Sequence, residues 1–444
     1  MQITKKGSSR RGGRVAGDPP PLGRRFWYDS FMARISPLRR RHQEAEASLV
    51  SYGPADHADG TVELVETYGE LELEYAALRK HCVLLDQPNR AVLEVVGRDR
   101  LAFLNNMLTQ DLRDMGPHRV RRAFWLNKKG RIDSDVRVID LPNRTLLDVD
   151  IHAADRTLKT LNAHIIADDV TISPRTEQTH RFALHGPTGL ELLKFAAELT
   201  TGADASGPLF DQLEPGTATV IRVAGHEVVV FREDCTGEPG LELIAPAAGA
   251  AEIYEKLLAM GRLPDGDEGD SVASDRTLAS RVRLRPAGWH AFNIARIEEG
   301  TPLFNIDFGT DSQPGESGVL DDRVSFKKGC YPGQEIVARI AHRGHPKQRL
   351  VAIKFESVQL DSDEPSRQPV TGSQLHPSEV SEAVGVVTSS TFSPMLGATP
   401  IAFGQVKWNY IVPGTVLIAM TEGGPVRGVV QPTLRFWSRT PRPD

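Results

Sequence analysis

The sequence predicts an α+β protein that ends in a small all-β barrel, and three observations predict it. Apolar residues recur at helical spacing in several segments, as at Leu101, Leu104, Leu108 and Leu112. Short apolar runs of strand length lie between those segments, as at Ala91–Val96. Past Pro346 the helical segments stop, and brief β-rich runs follow one another with Gly and Pro between them. At about 100–200 residues per domain, 444 residues allow roughly two to four domains. The expected boundaries are a disordered basic tail over 1–43, an α+β region of two lobes over 44–345, and a barrel over 346–444.

In order along the chain, 91–96 reads as a buried strand, and Asp99 is placed to cap the helix after it. Residues 135–141 and 145–149 read as two strands joined by a turn at Pro142-Asn143. A helix is expected over 153–165, a short strand over 181–184, and a helix over 190–199 after the His185-Gly186-Pro187 turn. Residues 220–223 and 228–231 form a hairpin around Gly225. A helix over 248–260 ends at Gly261, and an acidic surface loop follows over 265–270. The helix over 289–299 stops at Gly300, a residue suited to a left-handed C-terminal position. The barrel strands are expected at 350–355, 384–388, 401–406, 416–420 and 426–430, with 361–379 as a loose hairpin loop.

The bulk numbers exclude several classes. A net charge of −5 argues against general nucleic-acid binding, which needs a basic face. No apolar run reaches the 18 residues of a membrane span. Cys82, Cys235 and Cys330 are the only three cysteines. That number fits a reducing compartment rather than a disulfide scaffold, and without a C-x-x-C the chain holds no zinc ribbon or four-thiolate cluster of its own. No resident metal is expected. Residues 1–41 carry Lys and Arg throughout against only Asp18 and Asp29, with Pro19-Pro20-Pro21 adding a disorder signal. Such a start reads as a solvated tail, as an upstream start codon, or as an organelle transit peptide. The expected location is accordingly cytoplasmic, or the mitochondrial matrix if the tail is a transit peptide.

The most informative stretch is Lys328-Gly329-Cys330-Tyr331-Pro332-Gly333-Gln334-Glu335. Ile336, Val337 and Ile340 after it have helical spacing, and Pro332 suits the first turn of that helix. A thiol beside Lys328 and near a helix N-terminus would be shifted toward thiolate, its reactive form. Gly329 and Gly333 would shape the loop, and Gln334 and Glu335 would hydrogen-bond it. A buried structural cysteine is the plain alternative. The octapeptide resembles the K-G-C-(Y/F)-x-G-Q-E signature of the YgfZ family, folate-binding proteins that assist iron–sulfur enzymes. The resemblance implies tetrahydrofolate as cofactor, iron–sulfur client or assembly proteins as partners, no membrane, and Cys330 with Lys328 as the reactive pair.

Further segments are similar to the wider GcvT superfamily, the fold of the glycine-cleavage aminomethyltransferase. They include Phe103–Asp111, Leu184-His185-Gly186-Pro187, Thr236-Gly237-Glu238-Pro239-Gly240-Leu241-Glu242, Arg296-Ile297-Glu298-Glu299-Gly300, and Gly385–Ser390 with Ser393-Pro394. The order of these matches implies a three-lobed ring with a central folate channel. It also implies Glu298 as the carboxylate for the guanidine-like pterin edge, with Arg296 beside it, Asn127 and Asp135 in the pocket, and Arg339 near the glutamate tail. One departure is expected to matter. The family pattern N-x-x-G-x-(I/L)-x-D-D aligns its first, catalytic Asp with Ser134, and a hydroxyl cannot do a carboxylate's work. On this reading the chain is an accessory factor that uses Cys330. A folate-dependent aminomethyltransferase or demethylase is the alternative.

Overall fold

The computed structural model describes residues 34–53, 62–197, 213–261, 283–357 and 367–437. The chain divides into two units, Met1–Met32 and Ala33–Asp444. The first, like the acidic segment 265–270, lies outside the described residues. Structure begins earlier than residue 44. Helix α1 (Arg39–Glu44) follows Leu38, whose side chain is fully buried in the main core. His42 on this helix reaches Asp86 at 2.8 Å.

A two-stranded ribbon, β1 (Ser48–Tyr52) and β2 (Val62–Thr67), comes next. Then follow α2 (Leu71–Lys80), β3 (Cys82–Asp86), β4 (Arg90–Val96), α3 (Arg100–Met107), β5 (Val120–Leu126), β6 (Ile132–Leu141), β7 (Arg144–Asp150), α4 (Ile151–Asn162) and β8 (Thr171–Pro174). Five of these strands make an antiparallel sheet in the order β5-β6-β7-β4-β8. Asp150 caps α4 by accepting from the His152 amide at 2.9 Å. Asp99 sits at the cap position of α3, but its carboxylate accepts from the Asp169 amide instead of from the helix.

The second lobe contains β9 (Thr179–His185), α5 (Gly189–Ala196), β10 (Ala218–Val223), β11 (His226–Arg232), β12 (Gly240–Pro246), α6 (Ala250–Gly261), β13 (Leu284–Pro286) and α7 (Trp289–Glu299). Its six-stranded sheet has the order β10-β11-β12-β9-β3-β13, with β13 parallel to β3. The two sheets pack face to face. Val92, Ile139, Leu141 and Leu146 of one meet Ala218, Val229, Phe231 and Ile244 of the other. Helices α3 and α4 cover the outer face of the first sheet, and α5 and α6 that of the second. Strands buried on both faces explain the near-continuous apolar runs in the sequence.

Two short helices, α8 (Leu320–Arg323) and α9 (Gln334–Arg343), lead into the C-terminal strands. These are β14 (Gln348–Phe355), β15 (Gln374–His376), β16 (Gly385–Ser393), β17 (Thr399–Lys407), β18 (Val416–Thr421) and β19 (Gly424–Val430). They form a closed barrel in the order β14-β17-β16-β15-β18-β19. The expected barrel is therefore present, with one addition. Strand β15 lies inside the stretch read as a loose loop, and it joins β16 to β18. A three-residue strand has too little alternation to be legible by pattern. Helix α7 holds the barrel to the rest, with Ile297 packed on Leu350, Ile401 and Phe403.

Candidate functional site

A cavity lies between the inner faces of the two sheets, and it is closed on one side by α7 and the segment after it. Its empty volume, counting the space open to solvent, is about 820 Å³. Apolar walls come from Leu64, Leu85, Trp289, Phe292, Leu303 and Phe304, and the polar lining includes Tyr52, Gln87, Arg122, Asp135, Arg137, Asp150, Arg181 and Glu242.

The charged side chains form one buried chain of ion pairs. Arg323 donates to Asp135 at 3.1 Å, and Arg122 bridges Asp135 at 3.0 Å to Glu233 at 2.7 Å. Arg137 joins Glu233 to Asp148, which also takes Arg90 at 2.8 Å and Arg181 at 2.9 Å. Arg181 then reaches Glu242 at 2.6 Å. Strand alternation puts these residues on one face. Asp135 and Arg137 are two apart on β6, as Asp148 and Asp150 are on β7, and Arg137 lies directly across from Asp148. Burial opposes the ionisation of Asp135, but Arg323, Arg122 and Arg137 overcome it and bring the carboxyl down to about 2. The same balance holds Glu233 well below the carboxylate range, through Arg122 and Arg137. Asp150 goes the other way: burial raises it, although Tyr52 and Arg90 oppose the shift.

The turn that carries Asp135 separates Asp133, Ser134 and Asp135 in space. Strand β6 has a bulge: Trp125 pairs with Ser134, Leu126 pairs with Ile132, and Asp133 has no partner opposite. Ser134 is fully buried behind the sheet, and its hydroxyl does not line the cavity. Asp133 turns to Arg156 on α4 at 2.7 Å and to the Asn127 amide at 3.0 Å. Asp135 is the member of this trio that faces the cavity, as expected of a pocket residue.

Of the other site residues named from the sequence, several are placed elsewhere. Glu298 is fully buried at the joint between α7 and the barrel. It accepts from Tyr75 and Ser393, each at 2.5 Å, from the Met395 amide at 3.3 Å, and from Arg79. Arg296, also fully buried, pairs with Asp307 and donates to Ser389 at 2.6 Å. Both therefore tie the helix to the barrel and lie outside the cavity lining. Asn127 closes its own turn by accepting from the Lys129 and Arg131 amides. Arg339 is exposed on α9.

The signature loop is differently built than expected. Helix α9 starts at Gln334, with Gly333 as its cap at φ +81°, so Pro332 precedes the helix instead of sitting in its first turn. A side chain at Gly333 would come within 2.8 Å of the Asn127 carbonyl, so this glycine lets the loop press on the 127–130 turn. At Gly329, by contrast, an added Cβ would meet open space. Lys328 is buried. Its ammonium donates to the carbonyls of Asn105, Leu108 at 2.6 Å and Gln110 at 3.0 Å, which accounts for all three of its donors. Tyr331 is buried among Phe124, Ile132 and Val337, and burial pushes its hydroxyl up to about 12. Among the described residues no side-chain hydrogen bond runs from Gln334 or Glu335 to the loop, and Glu335 is exposed. Cys330 is exposed, while Cys82 and Cys235 are buried and their thiols pushed up by it. Cys330 is not among the residues lining the cavity.

The reading from sequence missed Glu242, Arg122, Arg137 and Arg181. The signal was charge at alternate positions in strands that otherwise read as wholly buried. Glu242 in addition closes the quoted T-G-E-x-G-L-E segment.

Two sheets, a bridging helix and a C-terminal barrel around a charged cavity define the class. Residues 39–268 match the family model described as the GCVT N-terminal domain, over half of the chain, and the protein belongs to that family. An aminomethyltransferase of Caldanaerobacter subterraneus is 27% identical over 361 residues, 80% of this chain and 85% of the relative. One from Desulfitobacterium hafniense is 25% identical and covers 91% of this chain and 98% of its own length. The crystal structure of the glycine cleavage system aminomethyltransferase T from Bartonella henselae superposes with a TM-score of 0.73 at 22% identity, over 91% of this chain and 98% of that one, which establishes the shared fold. No helix among the described residues is long and apolar enough to cross a membrane.

Proposed function

We propose that this chain is a tetrahydrofolate-dependent one-carbon transferase of the aminomethyltransferase type. The observation that carries the reading is Asp135, held as a carboxylate by two arginines on the cavity wall. The family membership and the aminomethyltransferase relatives support it.

The lining of the cavity suits a folate. Trp289 and Phe292 offer flat apolar surface for a ring system. Buried polar atoms without a protein partner line it, namely Gln87 Oε1, Arg122 Nε and Arg181 Nε, and such atoms call for a polar ligand. Tetrahydrofolate, when bound, supplies the nitrogen that accepts the one-carbon unit. Glu242 is the carboxylate for the guanidine-like pterin edge, since Arg181 fixes one of its oxygens and leaves the other toward His185 at 3.8 Å. Asp135 places a fixed negative charge where positive charge develops on the carbon leaving an amine donor. It does not serve as a base near neutrality, because a carboxyl at about 2 holds protons poorly there.

Tetrahydrofolate titration of Glu242→Gln tests the pocket. Loss of a charge-assisted bond is expected to weaken binding by about 1.5–3 kcal/mol. An unchanged dissociation constant would place the pterin elsewhere.

A second reading, an accessory factor for iron–sulfur enzymes, is favoured by one feature, the exposed thiol of Cys330 on a braced loop. It expects Cys330→Ala to abolish support of cluster enzymes in cells while one-carbon transfer continues. Normal cluster-enzyme activity in cells carrying that variant would remove the accessory role.

A further inference from the structure

We infer that His185, Cys235 and Glu242 form a binding site for a zinc-class divalent metal in the wall of the cavity. The three residues come from the end of β9, the loop before β12, and β12 itself. Their ligand atoms all lie within 4.8 Å of one another, and all three residues are buried. Cys235 Sγ is 4.0 Å from His185 Nε2, which is 3.8 Å from Glu242 Oε1. A tetrahedral zinc with Zn–S near 2.3 Å and Zn–N near 2.0 Å would set such atoms roughly 3.3–3.7 Å apart, so the two pairs at His185 close by a few tenths of an ångström and the Cys235–Glu242 pair by up to about 1 Å.

The imidazole supplies an independent observation. Neither nitrogen of the fully buried His185 has a conventional hydrogen bond: Nδ1 has no partner, and Nε2 meets only the distant thiol and carboxylate. A buried imidazole left this way costs stability unless another ligand satisfies it. A metal on Nε2 would give that nitrogen a close ligand and keep the ring proton on Nδ1.

The surroundings suit a cation of this type. Cys235 is pinned by a closed loop, in which Glu233 N binds the Gly240 carbonyl and Gly240 N binds Asp234 at 3.0 Å. A side chain at Gly240 would strike the Glu233 carbonyl at 2.1 Å, so only glycine closes the loop. Arg181 grips the far oxygen of Glu242 and orients the carboxylate, the usual part of an outer partner. Metal binding releases the thiol proton to solvent, and the thiolate and carboxylate then cancel the charge of M²⁺ in a buried place. Thiolate and imidazole select the zinc class over Mg²⁺ or Ca²⁺, which take oxygen. Cys235 and Glu242 line the cavity, so the fourth position opens into it. The metal and a pterin would then compete for Glu242.

Co²⁺ is the probe, added to the full-length Cys330→Ser protein without folate so that the exposed thiol does not contribute. The expected result is one equivalent of tetrahedral Co²⁺ with a thiolate-to-metal absorption band that disappears in Cys235→Ala and is displaced by Zn²⁺ but not by Mg²⁺. Zn²⁺ should also raise the melting temperature of Cys330→Ser and not of the double variant. Absence of the band, or its survival in Cys235→Ala, overturns the inference. Should Cys235→Ala fail to fold, Glu242→Gln takes its place, with weakened Co²⁺ binding expected and unchanged binding fatal. A cobalt band accompanied by unaltered tetrahydrofolate affinity in Glu242→Gln upholds the metal site and removes the pterin assignment instead.

Discussion

Asp135→Asn is expected to cut one-carbon transfer by about 10²–10³-fold, the scale on which a fixed electrostatic partner of a transition state acts. The amide keeps the shape and loses the charge. Tetrahydrofolate affinity should change far less, because Asp135 is assigned to the reacting carbon and not to the pterin edge. The substitution also leaves Arg122 and Arg323 short of an anion, so turnover must be scaled to the folded fraction seen by circular dichroism. Ser134→Ala is the companion variant. Its side chain lies behind the sheet, and its turnover should match the parent. A loss of transfer in Ser134→Ala with retention in Asp135→Asn would reverse the assignment and restore the register expected from sequence.

Glu298→Ala should destabilise the protein by about 3–5 kcal/mol, the usual result of removing one partner from a buried ion pair. The carboxylate holds Arg79 and Tyr75 on α2, Ser393 at the end of β16, and the Met395 amide, so it links three elements at one point. Arg79 packs between the Tyr75 and Trp437 rings and cannot follow its lost anion into solvent without opening that stack. Urea unfolding read by tryptophan fluorescence gives the number. If stability is unchanged and tetrahydrofolate binding falls instead, Glu298 belongs to the folate site after all.

Much of the architecture was legible before any coordinates. The α7 helix and its stop at Gly300, the hairpins around Pro142-Asn143 and Gly225, and the five longer barrel strands all follow from periodicity and turn chemistry. Those signals are local, and a stretch of five to twelve residues carries them. The helix pattern over 296–299 was equally legible, yet the roles drawn from it were not. Arg296 and Glu298, expected at the pterin, are buried where the barrel packs against their helix. The hydrogen bonds of Lys328 were not legible either. Adjacency in sequence does not fix direction, and three backbone carbonyls from the end of α3 hold the ammonium.

The sequence by itself determined the α+β class, the closing barrel, and the motifs that mark the family. Only the tertiary structure decided which charges share a wall. A single bulged residue in β6 turns Ser134 under the sheet and Asp135 into the cavity. Five strands from two sheets bring Arg122, Asp135, Arg137, Asp148, Arg181 and Glu242 into one network. Arg122 and Glu233, 111 positions apart, meet there because the sheets pack face to face. That packing depends on the whole apolar layer between them, which no window of sequence contains.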